Sequence, residues 1–339
     1  MDNPSIVDVA KRAGVSITTV SRIINNTSYP VAAKTREKVL KAIEELHYSP
    51  NKIAQRLKKS TSDIVGLIVR DVCDPYFAEI ARGVTDRASQ VGYLCFLCNT
   101  GRNLENEFRY HDLLWQHRVK GIILAGGGLD QPDYKQILQK QLERHEKYGL
   151  KIIALAPQGL EMPYVMINDY EAGKKITEYL IERGHRKIGF IGGPEKVFTS
   201  KERLKSYKDA MDAIGMKCEE YIIHCDFSRK GGYEACNLLL SKVQDLTAIC
   251  CVNDNIAIGA ISAIKEHGYK IPEDISIISI GNITEAKYTD PPLTTLSIPH
   301  YEMGQLAIDV IAEGKTDVRI ILNTRIIERK SVDFSQKTR

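Results

Sequence analysis

A chain of 339 residues, 43% hydrophobic and 27% charged, exceeds one ordinary core and divides into two or three folding units of a globular protein. Its net charge of +4 is uneven: residues 1–60 hold 11 Lys and Arg against 5 Asp and Glu, a basic head on a near-neutral body, as in nucleic-acid readers. No apolar run reaches the roughly 20 residues of a membrane helix, and no apolar stretch follows a basic start at Met1-Asp2-Asn3-Pro4-Ser5, so a membrane or secreted protein is excluded and a cytoplasmic one expected.

Three short helices are predicted first. Ile6 to Ala13 is capped by Ser5, with Asp8 three residues on in a near capping box, and Gly14 suits the left-handed residue that ends a helix. Ser16 caps a second helix, Ile17 to Asn25. Val9, Ala10, Val15, Val20 and Ile23 close a small core between the two, and the turn is tight. This spacing predicts a helix-turn-helix. A third helix covers about Ala33 to Leu46, with Val39, Leu40, Ile43 and Leu46 on one face. With the basic charge and the polar face Thr18, Thr19, Ser21 and Arg22, the pattern points to double-stranded DNA, the second helix lying in the major groove. Arg22 has the fork for a guanine, Thr18 suits a base edge or a thymine methyl, and Ile17 offers apolar contact.

Residues 4–60 resemble the lactose/galactose-repressor (LacI/GalR) family. The resemblance is carried by Ile6-x-Asp8-Val9-Ala10-x-x-Ala13-Gly14-Val15-Ser16-x-x-Thr19-Val20-Ser21-Arg22, by Thr35-Arg36-x-x-Val39 and by Tyr48-x-Pro50-Asn51-x-x-Ala54, and it extends almost to the C-terminus. It implies that Ile17, Thr18 and Arg22 read bases while Ser5, Ser21, Asn25 and Thr35 hold the DNA backbone. It implies a transcription regulator, expected to be a repressor of a metabolic, carbohydrate-related operon under the control of a small-molecule effector. One departure is Ala32, where the family has Ser or Thr capping the third helix. A lost cap costs about 1 kcal/mol.

Pro50 stops the third helix, and the nine residues from Asn51 to Lys59 are too few to hold a helix alone in water. The resemblance implies that two such segments from a homodimer pair and fold in the minor groove. Leu57 would then wedge between base pairs with Ala54 beside it. The chain is expected to divide into a headpiece (1–48), a hinge segment (49–60) and an effector-binding and dimerisation domain (61–332).

From Asp63 onward strands and helices alternate. Strands are predicted at Ile64–Val69, Tyr93–Cys98, Gly121–Ala125, Ile152–Ala156, Lys187–Ile191, Tyr221–Cys225, Ala248–Val252 and Ile275–Ile280, giving an α/β fold with two doubly wound parallel sheets in succession. The resemblance implies a periplasmic-binding-protein-like pair of subdomains joined by three crossings, near 160, 291 and 322. The N-subdomain would hold about 61–160 and 292–322, the C-subdomain about 161–290 and 323–332. Cys95-x-x-Cys98 lies in what reads as a buried strand. Residues three apart on a strand face opposite sides, and no second pair completes a metal site, so these read as buried thiols.

Ligands of such sheets sit at the carboxyl ends of the strands. The candidates there are Tyr76 and Phe77 after Asp74-Pro75, then Arg203, Asn253, Asp254 and Asn282. The resemblance implies an aromatic pair at 76–77, an effector-gripping arginine at 203 and a strand-end pair at 253–254. The residues alone leave other roles open: core packing for the aromatics, a surface position for Arg203, a helix cap for Asn253-Asp254. Gly281 stands where the family often has an aspartate, Ala156-Pro157-Gln158 where many members have Asp-Arg, and Asn168-Asp169 in place of Asp-Asn. Fewer acids point to a sugar acid or sugar phosphate as readily as to a neutral sugar. No dinucleotide, phosphate-loop or nucleophile-elbow motif is present and the eight histidines show no metal spacing, so neither an enzyme nor a cofactor is expected. The alternative, a solute-binding protein without a regulatory role, does not explain the helix-turn-helix. The tail from Ser331 to Arg339 is too short for a heptad bundle, so a dimer is expected in preference to a tetramer.

Overall fold

The computed structural model describes residues 4–25, 29–49 and 62–335, which fall into two compact units meeting at Ser62–Asp63. The first holds α1 (Ile6–Ala13), α2 (Ile17–Ile24) and α3 (Ala33–Glu45). Ser5 and Asp8 close a reciprocal capping box on α1, and Gly14 ends that helix at φ 67°. Ser16 accepts from the Thr19 amide at the start of α2. Val9, Val20 and Val39, one from each helix, are wholly buried and pack with Ala10, Ala13, Ile23 and Ala42. Arg12 reaches Glu45 at 2.6 Å and ties α1 to α3. Ala32 gives α3 no side-chain cap.

The second unit is built on two six-stranded sheets. The first contains β1 (Ile64–Val69), β2 (Leu94–Asn99), β3 (Gly121–Leu124), β4 (Lys151–Ala154), β5 (Tyr164–Ile167) and β11 (Arg319–Leu322), in the order β11-β5-β4-β3-β1-β2 and parallel throughout. The second contains β6 (Ile188–Gly192), β7 (Ile222–His224), β8 (Ala248–Cys251), β9 (Ser276–Gly281), β10 (Thr294–Ser297) and β12 (Arg325–Ile327), in the order β12-β10-β9-β8-β6-β7. Only β12 is antiparallel, against β10. Eight helices fill the connections: α4 (Pro75–Gln90), α5 (Leu104–Gln116), α6 (Pro132–Lys147), α7 (Asp169–Glu182), α8 (Phe198–Ala213), α9 (Arg229–Lys242), α10 (Asp254–Glu266) and α11 (His300–Glu313). Strands β1, β3, β6, β8 and β9 are buried along their whole length, as sheets covered on both faces require.

Three readings of the sequence are corrected here. The first crossing follows Ile167, because β5 pairs with β4 and β11 in the first sheet. The second follows Ser297, because β10 pairs with β9 in the second. Strand β10 is Thr-Thr-Leu-Ser, too polar to show the apolar run that marks a buried strand, whereas β5, Tyr-Val-Met-Ile, is apolar and declares its sheet only through its pairing. Strand β2 is an edge, not a buried strand: Leu94 is 62% exposed, Phe96 39% and Leu97 46%. Of the cysteine pair on it, Cys98 is buried and Cys95 half-buried, and both thiols are free.

After the second crossing α11 returns to the first subdomain and packs on α4. The two helices touch backbone to backbone: a Cβ on Gly83 would collide with the Tyr301 carbonyl, and one on Gly304 with that of Ile80. Glycine at both positions is what lets the returning helix seat so closely.

Candidate functional site: a helix-turn-helix face and a cavity between the two sheets

In the headpiece α2 turns Ile17 and Thr18 outward, Ile17 being 47% exposed. Arg22, further along the same helix, lies with its guanidinium 4.0 Å from the Tyr29 ring centroid, a cation–π contact. Asn25 donates to the Ser21 carbonyl at 2.8 Å and to its hydroxyl at 3.2 Å. Ser5 is exposed at the start of α1, and Thr35 is half-buried in the first turn of α3. Ala54 and Leu57 lie outside the described residues.

The cavity, of about 250 Å³, lies between the carboxyl ends of the two sheets. From the first sheet come Arg70, Tyr76 and Phe77 beyond β1, Arg102 beyond β2, and Gly126, Gly127 and Leu129 beyond β3. From the second come Val197, Thr199 and Arg203 beyond β6, Asp226 and Phe227 beyond β7, and Asn253 to Asn255 beyond β8. The end of β9 adds Ile280 and Gly281. Tyr76 and Phe77 meet edge to face with centroids 4.9 Å apart, and burial pushes the Tyr76 phenol up.

Each arginine in the lining has a carboxylate of its own. Arg203, buried in α8, donates from Nε (2.9 Å) and Nη2 (2.6 Å) to Asp169, and from Nη1 to the Val252 carbonyl at 2.5 Å. Arg70 is bonded to the buried Glu107, and its Nη2 donates to the Gly127 carbonyl at 3.1 Å. Arg102, held at φ 60°, reaches Asp74 at 3.3 Å and lies 5.2 Å from the Phe227 ring centroid. Among the described residues the lining therefore carries no arginine without a carboxylate partner.

The polar strand-end residues are mostly committed to the protein itself. Asn253 caps α10, accepting from the Ile256 amide at 2.8 Å. Asp254 accepts from Ser279 Oγ (2.5 Å), Thr295 Oγ1 (2.6 Å) and the Ile283 amide (2.7 Å), which pins the ends of β9 and β10. Burial raises its pKa while these donors oppose the rise. Gly281, at φ 147°, lies over that carboxylate: a Cβ there would come 2.8 Å from Asp254 Oδ2. A side chain, least of all an acidic one, has no room.

Asn282 is corrected outright. It is not in the lining. Its amide donates to Ser297 Oγ at 3.2 Å and accepts from Arg329 at 2.7 Å. One residue past Gly281, at φ 62°, the turn swings its side chain away from the cavity. Gln158, buried beneath the cavity lip, donates to the Gly126 and Ala156 carbonyls at 2.9 Å each and accepts from Tyr134 at 2.8 Å. Sequence reasoning passed over Arg70, Arg102, Thr199, Asp226, Phe227 and Asn255. All follow strand ends, which was the available signal. Asn255 joins the subdomains, donating to Asp74 at 3.1 Å.

A DNA-reading headpiece joined to a two-sheet effector domain with a cavity between its halves defines a transcription regulator, not an enzyme. Residues 5–51 match the model of bacterial regulatory proteins of the lacI family, and residues 62–337 that of periplasmic binding proteins and the sugar binding domain of the LacI family. The chain is similar to the HTH-type transcriptional repressor PurR of Pasteurella multocida, 37% identical over 334 residues, 97% of this chain and 98% of that one. Among solved structures it is similar to the transcriptional regulator CelR in complex with cellobiose, with 31% identity, a TM-score of 0.71, and coverage of 97% and 99%. The lac repressor dimer bound to operator and the anti-inducer ONPF matches with 25% identity, a TM-score of 0.87, and coverage of 98% and 100%. The chain belongs to the LacI family. It is a DNA-binding transcriptional repressor with an effector-binding domain.

Proposed function

We propose that this repressor answers to a neutral, ring-shaped effector, a nucleobase or a neutral sugar. The observation that carries this is the pairing of Arg70, Arg102 and Arg203 with Glu107, Asp74 and Asp169, which leaves no arginine of the lining without a carboxylate partner among the described residues. A phosphate or carboxylate entering there would lose its hydration without gaining a counter-charge. Asp226 adds a further carboxylate to the lining, which disfavours an anion. Tyr76, Phe77 and Phe227 offer apolar faces for a ring, and Thr199, Asp226 and unused N–H groups of Arg102 and Arg203 offer hydrogen bonds to hydroxyls. The similarity to a regulator in complex with cellobiose is in keeping with a neutral sugar, and the greater identity to PurR repressors keeps a nucleobase beside it.

At the operator, Ile17, Thr18 and Arg22 read base edges, and Ser5, Ser21, Asn25 and Thr35 hold phosphates. Ala54 and Leu57 act in the hinge segment. Two chains act as a symmetric dimer through the apolar edge formed by Leu94, Phe96 and Leu97 with Val72 and Leu113, all more than a third exposed. Effector binding between the subdomains alters the geometry in which the dimer presents its two hinge segments. The coupling is reciprocal and of the order of 1–3 kcal/mol.

The test is operator binding by the full chain across a panel of neutral sugars, nucleobases, sugar acids and sugar phosphates. A neutral ring compound that shifts operator affinity 5- to 150-fold is the expected result. A response to phosphates or acids alone would overturn the neutral reading.

A further inference from the structure

Two glycine-containing segments flank the cavity, Gly126-Gly127-Gly128 beyond β3 and Gly192-Gly193-Pro194 at the end of β6. Each leads into a lip, and the two lips are joined. Leu129 and Val197 form an isolated antiparallel bridge. The Asp130 amide donates to the Lys196 carbonyl at 2.7 Å, and the Phe198 amide donates to the Gly128 carbonyl at 3.1 Å. The Phe198 ring lies on Gly159, leaving no room for a Cβ there, and the Lys135 ammonium is 5.1 Å from the ring centroid. Outside the bridge Asp130 is forked: Lys135 of its own subdomain donates to Oδ1 at 2.6 Å, and Lys201 of the other subdomain donates to Oδ2.

We propose that this joint is a latch: the Asp130–Lys201 pair and the 129–197 bridge close one side of the effector cavity, and small molecules reach it by parting the lips. Leu129 and Val197 are at once the bridging residues and part of the cavity wall, so opening the bridge opens the wall. The fastening is light. Among the described residues it consists of two backbone hydrogen bonds, the Phe198 ring on Gly159 and under the Lys135 ammonium, and one partly exposed ion pair between the subdomains, with side chains 29% and 46% accessible. Exposed pairs of this kind are weak and screened by salt. The lips can part while both sheets stay intact, because no strand residue takes part. Asn255 and Asp74 hold the subdomains at a second place and are not part of the joint. The latch rests on the reading of the cavity as the effector site, but its test needs no effector.

The test uses the thiol introduced by Ile280→Cys on the cavity floor, where the native residue is 1% exposed. Its modification by iodoacetamide is followed peptide by peptide in the full chain, which separates it from the native cysteines. Adding Asp130→Asn or Lys201→Gln is expected to speed that modification about two- to fivefold, and salt to speed it in the latched chain only. Equal rates in all three backgrounds, independent of salt, would overturn the latch. Amide exchange in the unaltered chain gives a second measurement that needs no variant. Exchange at Asp130 and Phe198 is expected to rise with salt while β3 and β6 stay protected, and salt-independent exchange there would count against the proposal equally.

Discussion

Arg203 and Asp169 meet through two hydrogen bonds onto a single carboxylate oxygen, Oδ1, with both side chains less than a tenth exposed. The pair joins the second turn of α8 to the start of α7. The arginine expected to reach for a ligand is thus first a structural tie, and only its unused N–H groups remain for the cavity.

The tie predicts a non-additive stability pattern. Arg203→Ala leaves Asp169 buried without a counter-charge and should cost about 3–5 kcal/mol. Adding Asp169→Asn should restore part of that loss, since the uncompensated charge is gone. Urea unfolding of the two variants checks this; a double variant less stable than Arg203→Ala would refute the account.

His111 and His145 stack with centroids 5.9 Å apart between α5 and α6, both fully buried, beside Trp115, Asp112 and Arg144. Burial, then the neighbouring His145, pulls His111 down to about 3; burial, then Arg144, pulls His145 down to about 4. Both folded values lie below the unfolded value of about 6.5, so below that pH the unfolded chain binds more protons. The stability is fully present above pH about 6.5 and is lost as pH falls towards 4. The loss can reach about 1.4 kcal/mol per pH unit for each histidine. Urea midpoints from pH 7 to 5 should fall, and His111→Gln should flatten the profile; an unchanged slope would show that other groups set it.

Ala32 opens α3 with extended backbone (φ −55°, ψ 137°) and no side-chain acceptor. Ala32→Ser should stabilise the headpiece by about 1 kcal/mol. Amide exchange at Val39 and Ala42 should slow about fivefold, with operator preference unaltered. Unchanged or faster exchange would mean the serine makes no cap.

Arg22→Ala should weaken binding to a selected operator by about 1–3 kcal/mol and relax the preference at one base pair, with non-specific DNA binding little changed. Competition titrations at fixed salt separate the two. A uniform loss on every sequence would assign Arg22 to the phosphates instead.

Phe96→Asp places a charge on the apolar edge at β2 and should convert dimers to monomers in sedimentation at low micromolar concentration. Operator affinity should fall with it, because two headpieces would no longer bind as one unit. A dimer that persists would move the interface elsewhere on the domain.

Local chemistry was sufficient for much of this molecule. Ser5, Asp8, Gly14 and Ser16 specify the helix-turn-helix within twelve residues, because caps and the left-handed Gly14 act through their nearest neighbours. The long buried strands declare themselves by continuous apolar runs, and the positions after them marked Tyr76, Phe77 and Arg203 as cavity residues. What the tertiary structure alone decided is what those residues are free to do. Whether Arg203 carries spare charge depends on Asp169, 34 positions earlier. Whether Asp254 can bind a ligand depends on Ser279, Ile283 and Thr295, and whether Asn282 faces the cavity depends on a left-handed turn after Gly281. The sheets to which the short strands β5 and β10 belong, and with them the crossings, are set by pairing with distant partners. Charge pairing and sheet pairing are properties of neighbours in space, so a run of adjacent residues cannot encode them by itself.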